Sequence, residues 1–231
     1  MLILGLQKTT LLDYPGKVAS TIFTGGCNFR CPYCHNGDLV LPPANVLSYS
    51  EEDIFSHLIS KKKVLDGVCI TGGEPTLHQD LPEFIAKIKD LGLLVKLDSN
   101  GTNPKMLKKL VNEGLLDYVA MDIKHSKDKY NTIACSTHFD LSAIEESVDF
   151  LKEGHVDYEF RTTVMQECHQ LSDMEDIGSW LKGAKAYFLQ SYRESEQVIN
   201  PIFSPHSTET LHQFVEVLKN YVENTSLRGI D

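Results

Sequence analysis

Residues 25–37 read GGCNFRCPYCHNG and crowd three thiols and one imidazole into a single short run. Three chemistries fit different parts of it. Cys31 and Cys34 have the C-x-x-C spacing of a redox dithiol, and Cys31 to His35 fits C-x-x-C-H, the attachment pattern of c-type haem. Cys27, Cys31 and Cys34 together make C-x3-C-x2-C. Three such thiolates can hold an iron–sulfur cluster with one iron left open, since four cysteines are the usual number. A structural zinc ion needs four ligands, and adjacent side chains such as Cys34 and His35 converge poorly on one tetrahedral ion. A dithiol, for its part, leaves Cys27 without a role.

The elements that must position these cysteines alternate along the chain. Strand-like segments at 18–25, 67–73, 94–101, 118–124, 157–164 and 186–190 are each followed by a helical pattern, at 50–63, 81–92, 104–114, 141–154, 171–183 and 207–222. Ser50 reads as the N-cap of the first helix, and Pro104 opens the third. Six β-then-α units with no linker or composition break predict one domain over residues 1–231, with a parallel sheet and helices outside. A doubly wound open sheet and a curved, incomplete barrel both satisfy this order. In either, ligands collect at the C-terminal ends of the strands.

Unusual polar residues sit at those ends. The first strand runs into Cys27, and the second ends in Gly72-Gly73-Glu74-Pro75. The third ends in Asp98-Ser99-Asn100-Gly101 and the fourth in Asp122-Ile123-Lys124; the fifth carries Arg161-Thr162-Thr163 and the sixth ends in Gln190. Two glycines let a ligand approach the backbone closely, and Glu74 offers a carboxylate to an ammonium group. The bland alternatives are a plain turn and solvated salt bridges.

Composition bounds the function. The chain has 231 residues, 42% hydrophobic and 23% charged, which suits a sizeable core and not intrinsic disorder. A net charge of −10 speaks against a nucleic-acid partner, because neutralising phosphates needs a basic surface. No run of 18 apolar residues occurs, so no membrane span is expected, and the first 17 residues lack the features of a signal peptide. A cytoplasmic location follows, which disfavours disulfides and covalently attached haem. Cys69, Cys135 and Cys168 stand apart and read as bystander thiols.

C-x3-C-x2-C with Tyr33 before its third cysteine, followed one strand later by GGEP, resembles the radical S-adenosylmethionine enzymes. The resemblance implies a [4Fe–4S] cluster on Cys27, Cys31 and Cys34, its open iron chelated by the amino and carboxylate groups of S-adenosylmethionine. Tyr33 and Gly72-Gly73-Glu74 then contact the cofactor. It also implies that the hydrogen-abstracting radical is carried by the cofactor, so that no side chain need act as acid or base. DSNG (98–101) and MDIK (121–124) resemble segments of the glycyl-radical-enzyme activating enzymes. By that resemblance Asp98, Ser99 and Asp122 help bind a monovalent cation, Lys124 and Arg161 hold the carboxylate or ribose region, and Gln190 is a looser match. Ala120 departs from the pattern, standing where the formate-lyase activators carry a methionine.

Residues 10–17, the cysteine core and residues 226–229 resemble the activating enzymes of anaerobic ribonucleoside-triphosphate reductase over nearly the whole chain. The expected fold is α/β, an incomplete (β/α)6 TIM-like barrel with parallel strands and helices outside. The expected activity is abstraction of a hydrogen atom from a glycine of that reductase, with flavodoxin or ferredoxin as low-potential electron donor. A radical enzyme acting on a small molecule, or a metal-stabilised binding protein without catalysis, are the alternatives.

Overall fold

A computed structural model of the chain describes residues 1–229. Its strands are β1 (Ile3–Thr10), β2 (Ala19–Thr24), β3 (Gly67–Gly72), β4 (Leu94–Ser99), β5 (Tyr118–Asp122), β6 (Asp157–Val164), β7 (Tyr187–Ser191) and β8 (Thr225–Arg228). Its helices are α1 (Gly37–Val40), α2 (Glu51–Lys61), α3 (Leu81–Asp90), α4 (Pro104–Asn112), α5 (Tyr130–Ala134), α6 (Leu141–Lys152), α7 (Leu171–Leu181) and α8 (Thr208–Leu218). All eight strands share one sheet in chain order. The pairing is antiparallel between β1 and β2 and parallel from β2 through β8. The first and last strands are the two edges, so the sheet is an unclosed barrel with its helices outside. The six predicted units are β2 to β7 with α2, α3, α4, α6, α7 and α8; β1 and β8 are additions at the edges. Among the described residues, no helix is long and apolar enough to cross a membrane.

Local chemistry accounts for the helices. Ser50 and Asp53 form a reciprocal capping box at the start of α2. Asn103 caps α4 by accepting from the Met106 N–H, and Ser207 caps α8 by accepting from the Thr210 N–H. Helix α3 buries Leu81, Phe84, Ile85 and Ile88, the i, i+3, i+4, i+7 face of an amphipathic helix.

Strand alternation separates two chemistries. Val68, Ile70, Val95, Leu97, Val119, Met121 and Phe160 are all 0% exposed and belong to the apolar core. Each is worth about 1.5–3 kcal/mol in burial. Apart from Ala120, the residues that alternate with them face the opposite, concave side and are polar: Cys69, Lys96, Asp98, Asp122, Glu159 and Arg161. Register makes them neighbours, with Cys69 opposite Lys96 and Asp122 opposite Arg161.

An ion pair between a buried carboxylate and a half-buried guanidinium anchors the last strand. Glu159 on β6 is fully buried and accepts from Arg228 Nη1 at 2.5 Å, Arg228 Nη2 at 2.7 Å and the Tyr118 hydroxyl at 2.8 Å. The same guanidinium lies 3.6 Å from the ring centroid of Phe188. The segment 226–229, noted in sequence only as a resemblance, thus pins β8 to the floor of the barrel. Arg228→Ala leaves the buried Glu159 carboxylate without a cation, held only by the Tyr118 hydroxyl. It is expected to cost about 3–5 kcal/mol in urea unfolding, whereas an Arg228→Met, Glu159→Gln double variant loses less.

Candidate active site

The cysteine loop follows β2 and is held from three sides. The Gly26 N–H donates to the Leu39 carbonyl of α1 at 2.7 Å, and the Arg30 N–H to the Ala134 carbonyl at the end of α5 at 2.9 Å. A strap after β7 completes the frame: the Asn200 N–H donates to the Pro32 carbonyl at 2.8 Å and the Ile199 N–H to the Cys34 carbonyl at 3.3 Å. Cys27, Cys31 and Cys34 line a single cavity. Burial pushes the Cys27 thiol up to about 11 and the Cys31 thiol up to about 12, so a metal must displace protons to bind there. Among the described residues, no three His, Cys, Asp or Glu side chains are grouped as around one metal ion.

The glycine turn is joined to this loop through backbone. Gly72 sits at φ +114°, and a Cβ there meets the Thr24 backbone. A Cβ at Gly73 runs into the Gly26 carbonyl. The Gly73 N–H donates to Thr24 O and the Glu74 N–H to Gly26 O, both at 2.8 Å. Only glycine permits this approach, and both glycines line the cavity.

Glu74 corrects an expectation. Its carboxylate does not line the cavity and is not free to meet an ammonium group. It is fully buried and accepts four bonds, from the Thr76 hydroxyl at 2.5 Å, the Asn100 N–H at 2.6 Å, the Ser99 hydroxyl at 2.9 Å and the Thr76 N–H at 3.1 Å. Burial raises its pKa, and these donors oppose the rise. Glu74 therefore ties the end of β3 to the end of β4.

The opposite wall is a row of charges. Asp98 pairs with Lys96 through Oδ1 and with Arg161 Nη1 through Oδ2 at 3.1 Å. Asp122 pairs with Arg161 Nη2 through Oδ1 at 2.9 Å and with Lys124 through Oδ2 at 3.0 Å. All four carboxylate oxygens are taken, and two anions face three cations. Burial alone raises the Asp122 carboxyl, but Arg161 and Lys124 outweigh it and hold it down at about 2. Asp98 is likewise lowered against its burial, by Arg161 and Lys96. Burial lowers the Lys124 ammonium, yet Asp122 and its other neighbours raise it well above the usual range. The ammonium lies 5.9 Å from the ring centroid of Tyr33, whose buried hydroxyl finds no hydrogen-bond partner among the described residues.

Tyr33, Ser99 and Gln190 line the same cavity as the thiols, the glycines and this charge row. Only Glu74, of the residues singled out in sequence, stands behind the wall. Asn100 and His35 also line the cavity and had no role assigned in sequence. Asn100 Nδ2 donates to Asn28 Oδ1 at 2.9 Å and lies 3.9 Å from Cys27 Sγ. His35 stacks on Tyr192 with centroids 5.8 Å apart. Both lie inside the quoted motifs, so their positions were visible and their partners were not. Lys96 was signalled only by a lysine in the middle of the apolar strand LVKLD.

Two measurements follow from this geometry. Gly73→Ala is expected to lose about 3 kcal/mol or more in unfolding, because backbone rather than a flexible side chain must yield. The stability supplied by Asp122 is complete above the ordinary carboxylate pKa near 4 and is lost as pH falls toward 2. Unfolding midpoints recorded between pH 6 and pH 2.5 should therefore fall, and fall less in Asp122→Asn.

Comparison with known proteins agrees with this geometry. Residues 21–176 match the Radical SAM superfamily. A Methanocaldococcus jannaschii protein named for glycyl-radical enzyme activation is 32% identical, over 100% of this chain and 97% of its own length. The pyruvate formate-lyase-activating enzyme of Listeria monocytogenes is 33% identical over about half of each chain, 49% in both cases. Among solved structures, SuiB of Streptococcus suis shares the fold with a TM-score of 0.71 at 13% identity. The match covers 90% of this chain, which spans about half of SuiB, 48%. QueE of Escherichia coli matches with a TM-score of 0.57 at 16% identity, over 99% of this chain and 94% of its own. The chain belongs to the radical SAM superfamily and, within it, to the glycyl-radical enzyme activating enzymes.

Proposed function

We propose that the cavity binds a [4Fe–4S] cluster on Cys27, Cys31 and Cys34 with S-adenosylmethionine beside it. The chain, read as one domain over residues 1–231, then takes a hydrogen atom from a glycine of anaerobic ribonucleoside-triphosphate reductase. The observation that carries this reading is that three thiols, a side-chain-free glycine turn and the paired charges of Asp98, Asp122, Lys124 and Arg161 line one cavity at the C-terminal strand ends. The donor set fits: three cysteine thiols lining one cavity are the ligand type that holds an iron–sulfur cluster. When bound, the pair supplies one-electron cleavage of a sulfonium C–S bond and a 5′-deoxyadenosyl radical, which becomes 5′-deoxyadenosine as it takes the glycine hydrogen. The electron comes from a low-potential donor, flavodoxin or ferredoxin, in the cytoplasm.

The side chains bind and orient. Lys124 and Arg161 present positive charge to a carboxylate, and Ser99 and the Gly72–Gly73 backbone offer polar groups at close approach. Tyr33 packs its ring against the ligand, and Gln190 closes the far side. A monovalent cation does not fit: the site between Asp98 and Asp122 already holds the Arg161 guanidinium, and its balance of charge is positive. We read Arg161 as standing in the cation's place.

Anaerobic reconstitution with iron and sulfide, then dithionite and S-adenosylmethionine, is expected to yield 5′-deoxyadenosine. Cys27→Ala should yield less than about 1% of it, since removing a group that acts only as part of a unit abolishes the whole. A confirmed cluster without cleavage sinks the radical reading. A glycyl-radical signal by electron paramagnetic resonance on the reductase identifies the partner; cleavage without it points to another substrate. Replacing potassium and sodium with tetramethylammonium should change the cleavage rate less than about twofold, as a site of net positive charge attracts no cation. A tenfold loss refutes the role given to Arg161.

A further inference from the structure

Beneath Lys124 lie two imidazoles that cofactor binding leaves unused. His125 and His169 are 1% and 0% exposed, and their rings stack with centroids 4.7 Å apart and an interplanar angle of 17°. Their hydrogen bonds are reciprocal. His125 Nε2 donates to the Cys168 carbonyl at 2.9 Å, and His169 Nε2 donates to the Lys124 carbonyl at 3.2 Å. Each ring thus bonds the residue that precedes the other ring in the chain. The remaining nitrogens accept: His125 Nδ1 from the Ser126 N–H at 2.7 Å, and His169 Nδ1 from the Met165 N–H at 3.4 Å. Because a carbonyl only accepts, both rings are held as the neutral Nε2–H tautomer.

We infer that His125 and His169 form a positioning clasp for Lys124, tying the backbone beyond β5 to the turn beyond β6 so that the ammonium stays fixed over the cavity. The inference rests on the reading of Lys124 as a cofactor-binding residue. A lysine stem is long and flexible, so the place of its ammonium depends on the backbone that carries it. On the side-chain end, Asp122 and the Tyr33 ring hold Lys124. On the backbone end, His169 holds it.

The clasp is sensitive to acid. A proton on His169 Nδ1 sets a second N–H against the Met165 amide; on His125 Nδ1 it displaces the Ser126 N–H, although the Ser126 hydroxyl at 3.0 Å can accept from it, and protons on both rings stack two cations. The charged groups around the pair do little to offset this. Asp173 comes within 4.0 Å of His125 Nε2 but is engaged by Lys129 at 2.6 Å, Asp176 is a weaker neighbour, and His206 is a third imidazole beside His169. Burial, then the charge of His125, depress His169 to about 3, and burial likewise lowers His125. A released imidazole titrates near 6.5, so opening of the His169 ring is favoured roughly thirtyfold at pH 5 relative to alkaline pH, and His125 shifts the balance in the same direction. The stabilisation is therefore complete above pH 6.5 and weakens progressively as pH falls from there toward 3.

The test pairs a functional with a non-functional reading. Histidine-labelled protein is followed by 15N NMR from pH 8 to pH 5, together with the backbone resonance of Lys124. S-adenosylmethionine affinity of the reconstituted holoprotein is measured over the same range. Both rings are expected as Nε2–H at pH 7, lost together on acidification in step with a shift at Lys124 and a fall in affinity. His169→Gln keeps a donor to the Lys124 carbonyl but takes no proton. It should bind within twofold of the parent at pH 7 and show a shallower acid limb. His169→Leu should bind about tenfold more weakly at pH 7 while remaining folded. Titration of either ring near 6.5 without a shift at Lys124, an unchanged acid limb in His169→Gln, or parental affinity in His169→Leu overturns the clasp. If the parent protein binds no S-adenosylmethionine at any pH, the cofactor reading fails, and the NMR titration alone still decides the clasp.

Discussion

The Arg161 guanidinium between Asp98 and Asp122 is the interaction on which the site depends. It spans three consecutive strands and, with Lys96 and Lys124 at the ends, makes one continuous row of five charges. Moving such groups out of water costs several kcal/mol per ion, and only close pairing recovers it. Every carboxylate oxygen in the row has a cationic partner, so the row survives burial as a unit and not as separate pairs. The apolar outer face of the same strands packs the helices that keep water away from it. Strand alternation makes both possible at once, because each strand gives one face to the core and the other to the charges.

A second joint stands opposite. Gly73 approaches Gly26 too closely for any side chain, and Glu74 ends its four hydrogen bonds on Thr76, Ser99 and Asn100. Asn100 in turn reaches Asn28, next to Cys27. Three motifs that are distant in the chain become one rim through these contacts. The thiols are thereby placed by groups whose own positions are locked, which is what a binding site requires of its supporting residues.

Much of this was legible in the sequence, and the exceptions have physical causes. β2 to β7 showed themselves as short runs of apolar, β-branched or aromatic residues ended by glycine or a polar side chain. β1 did not, because its burial follows no alternation, with Gln7, Lys8 and Thr9 all exposed. β8 has four residues, too few to carry a period. The cysteines, glycines and aspartates stood out as rare residue types at strand ends. Glu74 was picked out for the same reason but turns inward, and a sequence does not say which way a side chain leaves a turn. Lys96 and Glu159 interrupt apolar strands, and only the structure shows what they pair with: Asp98 two residues along the same strand for Lys96, and Arg228 and Tyr118 for Glu159. His125 and His169 belong to no motif, since what joins them is a stack between two loops.

The order of the sheet has a consequence for how the protein is made. Each strand pairs with its immediate predecessor in the chain, and the last never has to meet the first. Closing the barrel would add a pairing of the highest sequence separation, the kind that slows folding, and this topology omits it. The barrel can therefore grow strand by strand behind the ribosome, with no later strand inserted between two already in place. The thiols emerge early, while the strap at Ile199 and Asn200 that fastens their loop emerges near the end. Throughout most of synthesis the cysteine loop is a tethered but unfastened segment at the growing edge, and the geometry that protects it is completed last.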